Sequence, residues 1–159
     1  MGQYSVRRAK LSDIPGVLRL LEQVDMVHHN IRPDLFKGPA TKYNDEQLAD
    51  IFGNEATPVF VCVDSNDAVK GHAFCILRQA LDDNVMTDIL TLYIDDICVD
   101  EETRRQNIGK MLYDRVIEYA RSLNCYNVTL NVWEGNDGAK QFYEKNGFKV
   151  QKTGMEIIL

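Results

Sequence analysis

With 159 residues, 45% hydrophobic and 26% charged, the chain is long enough to bury a core and too apolar for disorder. Its formal net charge of −6 argues against a nucleic-acid partner, so a phosphate ligand would need one local site. Four scattered cysteines without a C-x-x-C pair point away from a disulfide framework or a zinc centre.

The opening "MGQYSVRRAK" has no apolar signal core, and Val6 stands where an acylation signal after Gly2 needs Ser or Thr. No run reaches the roughly 18 apolar residues of a membrane span, so one cytoplasmic domain spanning residues 1–159, without membrane contact, is expected. "YSVRRA" predicts a short strand. "LSDIPGVLRLLEQV" predicts a helix capped by Ser12, with Pro15 in its first turn and Ile14, Val17, Leu18, Leu21 and Val24 at helical spacing. Residues 27–45 are polar, aromatic and broken by two prolines, which predicts an irregular segment. "DEQLADIFG" predicts a helix opened by Asn44 or Asp45 and closed by Gly53.

The middle is β-rich: "PVFVCVD", a turn at "SNDA", a long return strand "VKGHAFCILRQA", and then "MTDILTLYIDDICVD". "IGKMLYDRVIEYARSLN" places Leu112, Val116, Ala120 and Leu123 on one helical face, with Asn124 past its end. "YNVTLNVW" predicts a strand covered on both faces. "DGAKQFYEKNG" predicts a helix ended by Gly147, and "FKVQKTGMEIIL" predicts terminal strand material. This order predicts a mixed α/β fold with helices on both faces of one sheet.

Between the third long strand and its helix lies "ETRRQNIGKML". A helix start leaves backbone N–H groups unpaired and adds a partial positive charge, a natural place for an anion. A Walker A loop is excluded, because Arg104 and Met111 stand where it needs Gly and Ser or Thr. One glycine is also too few for a dinucleotide fingerprint.

"YIDDICVDEETRRQNIGKMLYDRVIEYA" resembles the acetyl-CoA-binding motif of the GNAT acetyltransferases, and "LNVWEGNDGAKQFYEKNGF" resembles their second signature through Asn136, Ala139, Tyr143, Gly147 and Phe148. The resemblance is dense over residues 91–148. It implies the GNAT fold: a mixed, mostly antiparallel central sheet, splayed at the acetyl-CoA site. It also implies an acyltransferase that moves acetyl from acetyl-CoA to a primary amine by direct attack in a ternary complex, with no metal. A homodimer is the family habit, with "GMEIIL" as a partner surface.

By motif position, backbone groups of Ile97, Cys98 and Val99 would hold the pantetheine arm and the acetyl carbonyl. The amides from Arg105 through Gln106, Asn107, Ile108 and Gly109 to Lys110 would hold the pyrophosphate, with charge from the Arg104, Arg105 and Lys110 side chains. Asn107 replaces the family's first glycine, and asparagine is the residue that best tolerates the left-handed backbone that glycine supplies there. Tyr143 would protonate the departing sulfur, against the reading of a core aromatic. Asn136 would anchor the CoA arm or cap the last helix.

Asp95 and Asp96 lie mid-strand, where alternation sends them to opposite faces. Asp95 matches an acidic position of polyamine-acetylating members and is read as a base acting through water or as a cation anchor, against a surface salt bridge. His28, His29, Arg32, Asp34 and Phe36, with Asp96, form the candidate acceptor side, against the reading of surface histidines. The acidic balance favours a cationic amine such as a polyamine or aminoglycoside. A protein N-terminus is the other acceptor, and a CoA-binding module without turnover is the non-enzymatic alternative.

Overall fold

The computed structural model describes residues 3–159; Met1 and Gly2, on which the acylation reading turns, lie outside them. Strand β1 (Ser5–Arg8) leads through one 3-10 turn into helix α1 (Ile14–Ile31). Pro15 sits in its first turn, but Ser12 is not the cap. Asp13 takes that position, accepting from the Lys10 amide at 2.9 Å and from the Arg7 fork at 2.8 and 2.9 Å. Its carboxylate makes no cap bond to α1 itself; it holds the chain entering the helix by answering a guanidinium and the amide of Lys10 together. The helix also runs on past residue 27 to Ile31, because Val24, His28 and Ile31 continue the inward stripe and Pro33 stops it only later. His28 and His29 therefore lie in the last turn of α1 rather than on a flap, and the irregular segment begins only after Ile31.

Helix α2 (Asp45–Phe52) has the expected cap: Asn44 and Gln47 exchange reciprocal side-chain–amide bonds of 2.9 Å. Strands β2 (Val59–Val63), β3 (Val69–Gln79) and β4 (Leu90–Val99) follow, then α3 (Ile108–Ser122), β5 (Asn127–Leu130) and α4 (Asp137–Lys145). The sheet order is β1-β2-β3-β4-β5, antiparallel except for the β4–β5 pair. A parallel pair needs a crossover, and α3 is that crossover.

Strand alternation divides the core. Val59, Val61, Val63 and Phe74 pack under Val17, Leu20, Leu21 and Leu48 of α1 and α2. Phe60, Cys62, Ala73 and Cys75 face Ile108, Leu112, Val116 and Ala120 of α3. Burial pushes the Cys62 thiol up to about 11 and Cys75 up to about 12, so these sulfurs serve packing. Gly71 lets α3 approach: a side chain there would meet Ile108 and Leu112 at 2.9 Å. That contact seats the first turn of α3 on the sheet.

At the end of β4, Asp100 is fully buried and ties the motif loop to α1. It accepts from Arg19 at 2.8 Å, from Gln23 at 3.4 Å and from the Glu102 amide at 3.1 Å. Burial raises the carboxyl, but Arg19 and the other donors outweigh it, and the net shift is downward. The stability it contributes is therefore full above the ordinary carboxylate range and is lost as pH falls through the lowered folded value. Asp100→Asn is expected to cost about 1.5 kcal/mol in urea unfolding at pH 7, the low end for a charge-assisted bond because Arg19 is 46% exposed. The difference from wild type should shrink near pH 3.

The predicted terminal strand is not formed. Residues 148–159 carry neither strand nor helix, and among the described residues no backbone hydrogen bond joins 149–159 to another segment. The β pattern is present, but a strand exists only with a paired edge. Among the described residues no helix is long and apolar enough to cross a membrane.

Candidate active site

The parallel ladder between β4 and β5 runs from Thr91↔Asn127 to Ile94↔Leu130 and stops. From Asp95 to Val99, β4 pairs only with β3, so its other backbone edge opens into a cleft. At the same point the β3–β4 register slips: Phe74 faces Asp96 and Cys75 faces Ile94, which leaves Asp95 as the extra residue of a bulge. Bulges re-aim side chains.

The bulge corrects the expectation that Asp95 and Asp96 part to opposite faces. Both reach one row of rings. Asp96 Oδ2 lies 2.7 Å from His72 Nε2; His72 meets Phe74 edge-on at 4.9 Å; Phe74 stacks with Tyr43 at 5.7 Å; and Tyr43 donates to Asp95 at 3.3 Å. Asp95 also accepts from Lys42 at 2.7 Å, the salt bridge that was its alternative reading. Burial lowers Lys42, but the Asp95 hydrogen bond and charge outweigh it and raise the ammonium. Asp95 thus accepts two bonds, from a cation and a phenol, on its Oδ2, whereas Asp96 accepts one, from an imidazole; no hydrogen bond reaches the Oδ1 of either among the described residues.

His72 was not singled out in the sequence, although a histidine inside the fully apolar run of β3 is the signal that finds it. Its side chain is wholly buried and Nδ1 has no partner. A proton on Nε2 donates to Asp96 and leaves only a lone pair unanswered on Nδ1, the less costly arrangement.

Tyr143 faces the same cleft from α4, its ring between Phe142 at 5.3 Å and Phe148 at 5.5 Å. The core-aromatic reading therefore holds for the ring. Burial pushes the phenol up, the charges of Asp96 and Cys75 add to it, and the hydroxyl stays protonated well above neutrality. Asn136 caps α4 through the Ala139 amide at 3.4 Å.

In the motif loop, Asn107 adopts φ 66° and ψ 16°, the left-handed geometry expected of the residue in the glycine position. Arg105 joins it at φ 69°, a feature that arginine gives no hint of in sequence. Asn107 makes no side-chain cap bond, so the first amides of α3 face outward uncapped by it. Arg104, Arg105 and Gln106 are exposed, Ile108 is buried, and the Lys110 ammonium turns to Asp114 at 2.6 Å, away from the loop.

The acceptor-side candidates divide. His28 lies against Phe36 at 5.1 Å, and Phe36 against Trp133 at 5.4 Å, a wall that includes a tryptophan missed in sequence. His29 bonds the Phe36 carbonyl at 2.7 Å and does structural work. Arg32 forks onto Asp34 at 2.7 and 2.9 Å and also meets Glu156. His28, Arg32, Phe36, Lys42, Asp95, Asp96 and Tyr143 all border one cavity of about 1630 Å³, with Asp25, whose Oδ2 is buried and unpartnered. Among the described residues no His, Cys, Asp and Glu cluster could hold a metal ion.

A family described as the acetyltransferase (GNAT) family matches residues 24–148. Over 105 residues the chain is 41% identical to a peptidyl-lysine N-acetyltransferase, YjaB, of Salmonella typhimurium, covering 66% of this chain and 59% of that protein. It is 34% identical over 67 residues to the glucosamine 6-phosphate N-acetyltransferase of Trypanosoma brucei brucei, 42% of this chain and 44% of that one. The matches thus span less than two thirds of these curated relatives. The BH1408 protein of Bacillus halodurans superposes with a TM-score of 0.91 at 30% identity, covering 98% of this chain and 99% of that one.

Proposed function

The chain belongs to the GNAT acetyltransferase family, and we propose that it transfers acetyl from acetyl-CoA to a small cationic primary amine. The observation that carries this reading is one cleft, opened where β5 leaves β4, with a half-free carboxylate on one wall and a protonated phenol on the other. The site fits the cosubstrate: an unpaired β4 edge at Ile97, Cys98 and Val99 for the pantetheine, then a left-handed turn and helix start from Arg104 to Lys110 for the pyrophosphate. Acetyl-CoA supplies, when bound, the thioester that is cleaved.

Asp96, oriented by His72, takes the proton of the acceptor ammonium, directly or through water. The freed nitrogen forms its bond to the acetyl carbon, Tyr143 gives its proton to the sulfur as the C–S bond breaks, and the surplus proton on the nitrogen passes to the Tyr143 oxygen, directly or through water, which leaves the neutral amide, the thiol and the phenol. Backbone donors along β4 answer the charge that develops on the carbonyl oxygen. Asp25 and Asp95 line the same cavity and favour a cation, with Lys42 standing where a substrate ammonium would compete for Asp95. Asn136 borders the cavity while it caps α4, and from there it would hold the CoA arm.

A thiol-release assay tests this with spermidine, an aminoglycoside, glucosamine 6-phosphate, a lysine peptide and an alanine N-terminal peptide. Release that depends on the small cationic amines is expected. Release only with peptides would move the acceptor class to protein amines, the class named for the Salmonella relative. CoA binding with no amine-dependent release would leave a regulatory CoA-binding module. Asn107→Gly should keep or improve acetyl-CoA affinity by calorimetry, since it relieves a left-handed side chain; a many-fold loss would assign the contact to the asparagine amide.

A further inference from the structure

Lys42 is itself a primary amine, and it sits where an acceptor amine would enter. Its Nζ lies 2.7 Å from Asp95 Oδ2 and 5.5 Å from the centre of the Tyr43 ring, a carboxylate and an aromatic face that together suit an alkylammonium. Asp95 is the bulge residue one position before Asp96, beside the opening where the unpaired β4 edge begins. Lys42, Asp96 and Tyr143 all border the same cavity. Burial lowers the Lys42 ammonium, the Asp95 contacts outweigh it, and the charge of Asp96 adds to the rise. Beyond its own burial, Tyr143 is raised by that same Asp96 charge. An amine, a proton acceptor and a proton donor for the thiol therefore meet in one cavity.

The chain that carries Lys42 is loosely tied. Among the described residues, 37–43 make no backbone–backbone hydrogen bond. Side-chain packing holds them instead: Tyr43 stacks on Phe74 at 5.7 Å, and a side chain at Gly38 would meet the His29 ring at 2.7 Å. The Lys42 side chain is 55% exposed and that of Asp95 only 11%, so the lysine is the partner free to swing away. A salt bridge with one exposed partner adds little to stability, so stability alone gives no reason for it.

We propose, on the transfer reading above, that Lys42 is the protein's own first acceptor: with acetyl-CoA bound and no free amine present, the chain acetylates Lys42 Nζ and so releases Asp95 to hold the cation of an incoming amine. The ammonium gives one proton to Asp96, and Nζ bonds to the acetyl carbon as the C–S bond breaks. Tyr143 gives its proton to the departing sulfur, and the surplus proton on Nζ restores the phenol. The products are a neutral amide on Lys42, the free thiol, and one proton that Asp96 passes to water. The neutral amide no longer pairs with Asp95 as a cation.

Intact-mass spectrometry on the full chain incubated with acetyl-CoA alone should show one added acetyl group, mapped to Lys42 by peptide fragmentation. Its rate should be independent of protein concentration and blocked by excess CoA. Lys10 and Lys145, exposed and away from the cavity, should lag on the order of 10²-fold. Freed of CoA, the modified protein should bind spermidine roughly fivefold more tightly by calorimetry than the unmodified one, which is what an ion pair with one exposed partner withholds. Lys42→Gln should show the tighter binding untreated, and Lys42→Arg should gain nothing from the treatment. Amine-dependent thiol release with Lys42 left unmodified would overturn the inference and leave the transfer reading standing; no modification and no release with any amine would bring down both. A rate that rises with protein concentration, or acetyl groups spread evenly over the exposed lysines, would overturn it in favour of transfer between chains or of uncatalysed acylation. Unchanged spermidine affinity after modification would overturn the release of Asp95.

Discussion

Tyr143→Phe is expected to lower kcat on the order of 10²-fold, the low end for a positioned general acid, with acetyl-CoA affinity unchanged by calorimetry. The ring is held between Phe142 and Phe148, so phenylalanine keeps the packing and removes only the proton that the leaving sulfur needs. The same burial that raises the phenol fixes the pH dependence. A raised value keeps the acid form to higher pH, so the alkaline fall in rate should come above the ordinary tyrosine value near 10.0. An unchanged kcat would return Tyr143 to the aromatic packing of α4.

The second large effect concerns the carboxylates. Asp96→Asn should lower kcat/KM on the order of 10²-fold, because it removes the proton acceptor. Asp95→Asn should lower it far less, since Asp95 is already bonded to the Lys42 ammonium and the Tyr43 phenol. The intermediate case is His72→Leu, which takes away the Nε2 donor at 2.7 Å without touching substrate. One charge-assisted hydrogen bond is worth about 1.5 kcal/mol, so a roughly tenfold fall in kcat with KM little changed is expected. His72→Gln, which keeps a donor amide, should recover part of it. A loss of thermal stability with an unchanged kcat would make His72 a packing residue only.

Much of the fold is written locally. The Asn44 and Gln47 capping box, the apolar stripe of α3 and the punctuation at Gly53 and Gly147 depend on neighbours within one turn, and periodicity exposes them. The left-handed Asn107 was legible for the same reason, since a motif spacing and one residue's tolerance define it. The misses are tertiary. The cap at Asp13 depends on Arg7 across a turn, and the extension of α1 to Ile31 depends on packing of its inner stripe. The bulge at Asp95 depends on how β3 and β4 align, which neither strand states alone; without it Asp95 and Asp96 are sent to opposite faces and the histidine between them goes unseen. The C-terminal segment has the composition of a strand, but its partner is not encoded beside it.

The most direct test is a crystal structure with a bisubstrate ligand that joins an alkylamine to CoA through the acetyl carbon. The account predicts the pyrophosphate on the amides between Arg105 and Lys110, the sulfur within hydrogen-bond reach of the Tyr143 hydroxyl, and the amine nitrogen on the Asp96 side of the opening after Ile94. A sulfur remote from Tyr143, or an amine nitrogen seated away from Asp96, would contradict it.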